Sequence, residues 1–316
     1  MKKKVLFLIF PLFLSITIFS FLKSDGGEWN KIYWNGDPRD IIKIDDGYLI
    51  VGAYFKDIDE EGDAWILKID KEGNKVWEKI FDLEGNDYIH SIDAVNNYYF
   101  ICGDIDDEDV FISKIDRDGN EIWRRIYATY YDEEAKAIII DGKDIVVVGI
   151  KRESDDVNVW LIKIDEYGNE IWNKTYGRKG YDYGYDVISI EDGYLIIGET
   201  SSFYFEEKFR DLWLLKIDKE GNEIWNKTYG FYGHERGCKI IKEEDGYLLV
   251  GTTDSISAGY DDFWLIKIDK EGNEIWNKTY GGKYFDILWD AIKTDDGYVI
   301  IGDTDSYHVG SIDFWS

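Results

Sequence analysis

Two recurring phrases constrain this chain more than any other feature of its sequence. The first reads Lys-Ile-Asp, two variable residues, Gly-Asn, two more and Trp, and its copies end at Trp77, Trp123, Trp172, Trp225 and Trp276. The second is a short turn followed by an apolar run, and its copies end at Gly52, Gly103, Gly149, Gly198, Gly251 and Gly302. A period of about 50 residues in a chain of 316 indicates one repeated supersecondary unit rather than two unrelated domains.

Each repeat contains four short apolar runs bounded by turn residues, and these runs predict four β-strands. In the fourth repeat they are residues 186–190, 194–198, 212–218 and 223–229. Asp192-Gly193 predicts a tight hairpin between the first two strands. Gly221 predicts a left-handed residue in the hairpin between the last two. Four antiparallel strands in about 50 residues is the size of one β-propeller blade.

The two ends of the chain match complementary parts of the repeat. Residues 28–33 match the fourth strand and residues 312–315 match the beginning of the third strand. Pairing these ends would close the ring and cover the edge that an open ring exposes. We therefore predict an all-β chain in which residues 28–316 form a single six-bladed β-propeller of four-stranded antiparallel blades, closed by the N-terminal strand. The last strand is shorter than its equivalents, so truncation of the reading frame is an alternative that stays open.

Residues 1–27 have the pattern of an export signal. Three lysines, Lys2 to Lys4, precede an apolar run over residues 5–22 that contains no charged side chain. The run is at the short limit for a bilayer span, so cleavage as a signal peptide and retention as a membrane anchor both stay open. In either case we expect an extracellular or cell-surface protein that touches the membrane only through residues 5–22.

The acidic composition limits the classes of partner. The chain has 37 basic and 65 acidic side chains and a formal net charge of -28. Such a charge repels phosphate backbones, so nucleic acid is excluded as a partner, whereas cations and basic partners are attracted.

One Met, two Cys and abundant Glu and Lys fit a thermophile. Cys102 and Cys238 lie three repeats apart, so we expect two separate thiols, and we expect a monomer.

The tryptophans are explained by packing between neighbouring blades, because each blade must fill the wedge beside the next one. Eleven of the 13 tryptophans recur at one position of the third strand or one position of the fourth. We therefore assign them to the scaffold rather than to ligand stacking.

The repeat resembles a known family of proteins. Residues 192–201 and 211–230 are similar to the repeats of secreted archaeal and bacterial β-propeller proteins. A weaker resemblance, to kelch repeats, lies in the Asp-Gly turn and the Trp strand. Another, to the blades of quinoproteins, lies in Asp218, Gly221 and Trp225. The resemblance implies a fold and an exported location, not an activity. Cys102 and Cys238 do not provide the adjacent cysteines of quinoprotein dehydrogenases.

A ligand site is best sought where the loops vary. The connections between second and third strands, and between one repeat and the next, are long, uneven and rich in acids and aromatic residues. We predict that this face binds a glycan or a surface protein, and the alternative is that its tyrosines cap the blade edges. The candidate ligand-binding residues are Tyr131, Tyr181, Tyr183, Tyr204, Tyr232 and Tyr284.

One acidic loop imitates the opening of a calcium-binding EF-hand. Asp57, Asp59, Glu61 and Asp63 place oxygen ligands at alternate positions. Lys68 occupies the position where the EF-hand requires a bidentate Glu, so a solvated acidic loop is the alternative. No cofactor is required by the sequence, and Ca²⁺ is the one it allows.

Catalytic signatures are weak. The chain has three histidines and eight arginines, which we interpret as scattered, and it lacks a nucleophile elbow. Whether the chain is an enzyme is open, and a binding protein is favoured over the alternative, a propeller-type hydrolase acting on extracellular polysaccharide. Three sequons in the fourth strand begin at Asn173, Asn226 and Asn277 and allow glycosylation, although duplication of one repeat explains them equally well.

Overall fold

The computed structural model describes residues 35–56, 61–83, 85–106, 109–127, 132–201, 209–294 and 297–306. These residues form strands β1 to β22. Within the same ranges we found no helix with the length and apolar character needed to cross a bilayer. The chain divides into two compact units, Met1–Ser154 with Leu161–Asn173 and Asp155–Trp160 with Lys174–Ser316.

In the first unit the strands form antiparallel sheets in chain order. Sheet 1 contains β1 (Gly36–Ile44), β2 (Gly47–Tyr54), β3 (Asp63–Asp70) and β4 (Lys75–Phe81). Sheet 2 contains β5 (Tyr88–Val95), β6 (Tyr98–Ile105), β7 (Asp109–Asp116) and β8 (Glu121–Tyr127). Sheet 3 contains β9 (Glu133–Asp141), β10 (Asp144–Glu153), β11 (Asp156–Asp165) and β12 (Glu170–Tyr176). The division between the units passes through β11 and β12.

The second unit continues the pattern. Sheet 4 contains β13 (Asp182–Ile190), β14 (Gly193–Thr200), β15 (Asp211–Asp218) and β16 (Glu223–Tyr229). Sheet 5 contains β17 (Glu235–Lys242), β18 (Gly246–Thr253), β19 (Asp262–Asp269) and β20 (Glu274–Tyr280). Sheet 6 contains β21 (Asp286–Thr294) and β22 (Gly297–Thr304). The predicted four-stranded antiparallel repeat is thus confirmed. Residues 28–33 and 312–315 lie outside the described residues, so six blades and closure by the chain ends stay predictions.

The two recurring phrases form the hairpins of each sheet and contact each other. In sheet 4, Asp218 Oδ1 accepts hydrogen bonds from the backbone of Glu220 and Asn222, at 3.0 and 2.7 Å. Gly221 has a φ of +77°, as its position in the turn predicted. Lys216 Nζ lies 2.8 Å from Asp192 Oδ2 in the other hairpin. One ion pair therefore joins the Lys-Ile-Asp phrase to the Asp-Gly phrase.

The core lies between neighbouring sheets. In the second unit, Leu195 and Leu214 of sheet 4 pack in one cluster with Leu249, Trp264 and Ile266 of sheet 5. The third-strand tryptophans are 0–5% exposed, which confirms their scaffold role, and they are Trp65, Trp160, Trp213 and Trp264. A buried indole N–H needs a hydrogen-bond acceptor. The indole N–H groups of Trp213 and Trp264 each donate to an asparagine of the fourth strand at 3.3 Å.

The fourth strand of one sheet holds the turn of the next. In the second unit, Lys227 Nζ donates to the carbonyl of Glu271 at 2.7 Å, and the Tyr229 hydroxyl donates to the carbonyl of Gly272 at 2.7 Å. Lys174 and Tyr176 make the same bonds to the turn of sheet 4. These contacts explain why Lys and Tyr recur together in the fourth strand.

The first strands of neighbouring sheets lie side by side. Asp186 Oδ2 in β13 accepts a hydrogen bond from the backbone of Ile240 in β17 at 2.9 Å. In the first unit, Asp40 Oδ2 accepts one from Ile92 at 3.0 Å. Asp186 directly follows a register shift after Gly184, and Asp40 follows one after Pro38. The bulge turns a carboxylate toward the adjacent sheet, where it satisfies a backbone donor.

Replacing Tyr229 by Phe should lower the free energy of unfolding by about 1 kcal/mol, because the carbonyl of Gly272 loses its donor. Chemical denaturation of the full chain measures the change. The matched control is Tyr280→Phe, at the equivalent position of sheet 5, where the side chain is 45% exposed. The control should change stability by less than about 0.5 kcal/mol. Equal losses of stability in the two variants would contradict a stabilising role for the bond from Tyr229 to Gly272.

Candidate functional site

Two kinds of connection meet at one end of each sheet, which we call the loop end. They are the connection between second and third strands and the connection to the next sheet. In the second unit, Ser201 donates its backbone N–H to the carbonyl of Tyr181 at 2.8 Å, and Glu235 donates to the carbonyl of Arg210 at 2.7 Å. The first bond ties the loop of sheet 4 to the entry of the same sheet, and the second ties that loop to the entry of sheet 5.

Arginine and tyrosine side chains pack together at the loop ends of sheets 4 and 5. The rings of Tyr183 and Tyr185 are stacked, with centroids 6.1 Å apart and planes at 6°. The Arg210 guanidinium lies 5.0 Å from the Tyr183 ring, and that of Arg236 lies 4.3 Å from the Tyr185 ring. Both distances are within the range of a cation–π interaction. With Tyr181 and Glu199 these residues form what we call the arginine–tyrosine cluster.

Glu199 is the acceptor at the base of this cluster. Its Oε1 accepts hydrogen bonds from Arg210 Nη1 at 2.6 Å and from the Tyr185 hydroxyl at 3.1 Å. Glu199 is only 7% exposed. Burial and the Glu199 charge raise the pKa of Tyr185 well above its usual range, so the phenol stays protonated. Because one carboxylate faces two guanidinium groups, the cluster keeps a local positive charge in a strongly acidic chain.

Cys238 lies on β17 next to this cluster and is not activated. Burial raises the pKa of the Cys238 thiol to about 11, although Arg236 lowers it. Cys102 is also a free thiol and is buried, and burial raises its pKa as well. A thiol that stays protonated at neutral pH is a poor nucleophile. Neither cysteine is therefore a catalytic candidate.

A second group of side chains at the loop end is aromatic and exposed. The rings of Tyr260 and Phe285 stack with centroids 4.5 Å apart and planes at 17°, although the residues are 55% and 44% exposed. Tyr284 is adjacent in sequence and 42% exposed. Tyr232, in the preceding connection, is 88% exposed. We call Tyr232, Tyr260, Tyr284 and Phe285 the aromatic platform.

The predicted ligand-binding tyrosines fall into three groups. Tyr181 and Tyr183 lie on either side of Arg210 in the arginine–tyrosine cluster. Tyr232 and Tyr284 belong to the aromatic platform. Tyr131 and Tyr204 lie outside the described residues. Whether these residues bind a ligand stays a prediction.

The interpretation of the arginines as scattered was wrong for Arg210 and Arg236. Both lie beside the stacked pair of Tyr183 and Tyr185. Arg210 directly precedes a third strand and Arg236 is the second residue of the next first strand. These two repeat positions are adjacent in space, although they belong to different repeats. Alignment of the arginines by repeat position could have found the cluster.

The predicted calcium loop is only partly described. Asp57 and Asp59 lie outside the described residues, Glu61 is exposed and Asp63 begins β3. Across the described ranges, no group of three or more His, Cys, Asp or Glu side chains is arranged to hold a metal ion. Calcium binding by this loop stays a prediction.

The sequon asparagines have structural contacts of their own. Asn226 Oδ1 accepts from Trp213, and its Nδ2 donates to Glu223 at 2.5 Å. Asn277 makes the equivalent bonds to Trp264 and Glu274. Asn173 is exposed. Glycosylation stays a prediction at all three sequons.

Buried acids recur where the first strands of sheets 2 to 6 begin. Asp87, Glu133, Asp182, Glu235 and Asp286 are all 0–1% exposed. In the first unit, burial, with a smaller contribution from the charges of Asp63 and Asp82, raises the pKa of Asp87 to about 6. Such shifts accompany functional sites and also interfaces under structural constraint.

Comparisons with known proteins support the fold. No protein-family model and no curated protein sequence matches the chain. A putative 6-phosphogluconolactonase from Bacteroides fragilis aligns with a TM-score of 0.58 and 11% identity, over 92% of this chain and 86% of that one. A subtype N10 neuraminidase-like protein of A/little yellow-shouldered bat/Guatemala aligns with a TM-score of 0.50 and 12% identity, over 78% and 80%. Both are β-propeller-type folds, and this chain is similar to them in fold alone.

Replacing Asp87 by Asn should remove one component of the pH dependence of stability. The pKa of Asp87 is raised to about 6 in the folded chain, so the folded chain binds this proton more tightly than the unfolded chain does. The contribution of the proton to the free energy of unfolding is therefore complete below the ordinary pKa of Asp and is lost as pH rises through 6. Between pH 4 and pH 7.5 the wild-type chain should therefore lose about 1–2 kcal/mol more than the variant, a value reduced for solvent screening near Asp82. Urea denaturation at several pH values in EDTA measures this. Parallel pH profiles for the two proteins would contradict it.

Proposed function

We propose that this protein is an extracellular glycan-binding β-propeller whose ligand lies on the aromatic platform. The observation that carries the proposal is the stacked and exposed pair of Tyr260 and Phe285. A single exposed aromatic side chain is ordinary, but a contiguous exposed group of them marks an interaction site. Two parallel rings at the surface fit the flat apolar face of a pyranose.

Polar groups suited to sugar hydroxyls lie beside the platform. Asp261 follows Tyr260 directly, and Asp254 is close enough for its charge to raise the pKa of Asp261. A carboxylate accepts hydrogen bonds from hydroxyl groups, and Lys283, whose ammonium lies 5.5 Å from the Tyr284 ring, can donate them. The negative charge of the chain favours a neutral or basic ligand over a strongly anionic one.

A propeller-type hydrolase is the second candidate, and the arginine–tyrosine cluster is the observation behind it. A tyrosine beside a glutamate, flanked by two arginines, has the composition of a site for an anionic sugar. However, burial and Glu199 raise the pKa of Tyr185, whereas a nucleophile must lose its proton readily. Glu199 is also engaged by Arg210 and Tyr185. These contacts favour binding over hydrolysis.

Glycan arrays and calorimetry on the full chain test the proposal. Tyr260→Ala and Phe285→Ala should each weaken glycan binding about 10-fold, the loss typical of an aromatic contact at an interface. The matched control is Tyr167→Ala, because Tyr167 is 64% exposed but lies in the hairpin between β11 and β12, at the other end of its sheet. The control should bind as the wild type does.

Generic glycosidase substrates distinguish the second candidate. We expect no turnover by the wild-type chain. Turnover that is lost in Tyr185→Phe and Glu199→Gln would favour the hydrolase. Glycan binding that is equal in wild type, Tyr260→Ala and Phe285→Ala would remove the platform as the site.

A further inference from the structure

Pairs of carboxylates are buried between neighbouring sheets of the second unit. Asp286, the first residue of β21, is 0% exposed, and Asp262, the first residue of β19, is 1% exposed. Both side chains converge on Gly281, since a Cβ there would lie under 3.0 Å from Asp262 Oδ1 and from Asp286 Oδ2. The two carboxylates therefore lie within the range of about 4–6 Å over which like charges disfavour each other's ionisation.

One oxygen of each carboxylate in this pair lacks a hydrogen bond. Asp262 Oδ2 accepts from the backbone of Ala258 at 2.8 Å, and Asp286 Oδ2 accepts from Gly282 and Ser306, each at 2.8 Å. Asp262 Oδ1 and Asp286 Oδ1 are buried without any partner. Leaving a buried acceptor unsatisfied is costly, and leaving a buried charge uncompensated costs more.

The same arrangement occurs one repeat earlier. A Cβ on Gly230 would lie under 3.0 Å from Asp211 Oδ1 and from Glu235 Oε2. Glu235 Oε1 accepts hydrogen bonds from Thr253 at 3.0 Å and from Ser255, whereas Glu235 Oε2 is buried without a partner. The unpartnered oxygen is thus a property of this repeat position and not of a single loop.

At two other interfaces the acid at the start of the first strand faces a lysine or a neutral amide. Glu133 forms an ion pair with Lys151 at 3.0 Å. Asp182 faces Asn158, a neutral amide at the position that Asp211 and Asp262 occupy in sheets 4 and 5. Among the described residues, no Lys or Arg forms an ion pair with Asp262, Asp286 or Glu235. The charges that act on Asp262 come from Asp261 and Asp286, and both are negative.

We propose that Asp262 and Asp286 bind a Ca²⁺ ion between sheets 5 and 6, and that Asp211 and Glu235 bind a second Ca²⁺ between sheets 4 and 5. All the donors are hard oxygens, which suits Ca²⁺. Two carboxylates are fewer ligands than Ca²⁺ needs, so hydroxyls, carbonyls and water complete its shell. Sites with so few charged ligands bind with dissociation constants of about 10⁻⁴–10⁻³ M.

Thermal unfolding of the full chain in CaCl₂ or EDTA at pH 8 tests the proposal. We expect 10 mM Ca²⁺ to raise the Tm by about 5 °C, and Mg²⁺ to raise it less because Mg²⁺ dehydrates reluctantly. Asp262→Asn and Glu235→Gln should each lose part of the Ca²⁺-dependent shift. The matched control is Asp218→Asn in a hairpin turn, which should keep the whole shift.

A gain-of-site variant keeps the test decisive if the loss variants fold poorly. Asn158→Asp creates a third acid pair with Asp182, so its Ca²⁺-dependent shift should exceed that of the wild type. Calorimetric titration with CaCl₂ should then show one additional site. A wild-type Tm that is the same in Ca²⁺ and EDTA, but rises on acidification to pH 5, would overturn the proposal and assign a shared proton to the pairs.

Discussion

Every residue of β14 and of β18 is buried, so both faces of these sheets must be covered by other parts of the chain. A single four-stranded sheet cannot cover its own two faces, and its folding therefore depends on a neighbour of the same kind. The apolar contact between sheets, with one large indole at its centre, is the interaction on which the rest of the structure depends. The repeat length, the hairpins and the fourth-strand contacts all serve to place one sheet against the next.

This constraint leaves the two ends of the sheets unequal. The hairpin end is used for structure, because its acids, asparagines and glycines form turns and receive the lysine and tyrosine of the preceding sheet. The loop end makes few of these structural contacts, and its sequence varies from one repeat to the next. The arginine–tyrosine cluster and the aromatic platform both occur there, one partly buried and internally paired, the other open to solvent. The difference between them is the physical reason for preferring the platform as the ligand surface.

Sequence reasoning predicted the strands, the hairpins and the buried third-strand tryptophans because each is encoded within one repeat, whereas Trp276 of the fourth strand is 37% exposed. It placed the beginning of the fourth repeat's first strand at Asp186, whereas β13 begins at Asp182. The bulge after Gly184 interrupts the alternation of inward and outward side chains, so the pattern stops there although the strand does not. The arginine cluster and the buried acid pairs depend on two repeats at once. With 65 acidic residues in the chain, no pattern distinguishes the few acids that packing buries.

The bonds from Lys227 and Tyr229 to the turn of the following sheet have a direction, since sheet 4 donates to sheet 5 and accepts from the fourth strand of sheet 3. Sheet 4 thus carries both halves of a head-to-tail joint, because its turn accepts from Lys174 and Tyr176 and its fourth strand donates to the turn of sheet 5. A duplicated copy inserted whole would bring its own donor and its own acceptor, so an array of this kind can lengthen without new contacts having to evolve. The same polarity makes the joint heterologous: a terminal copy that finds no partner within its own chain offers a surface on which another molecule can continue the array.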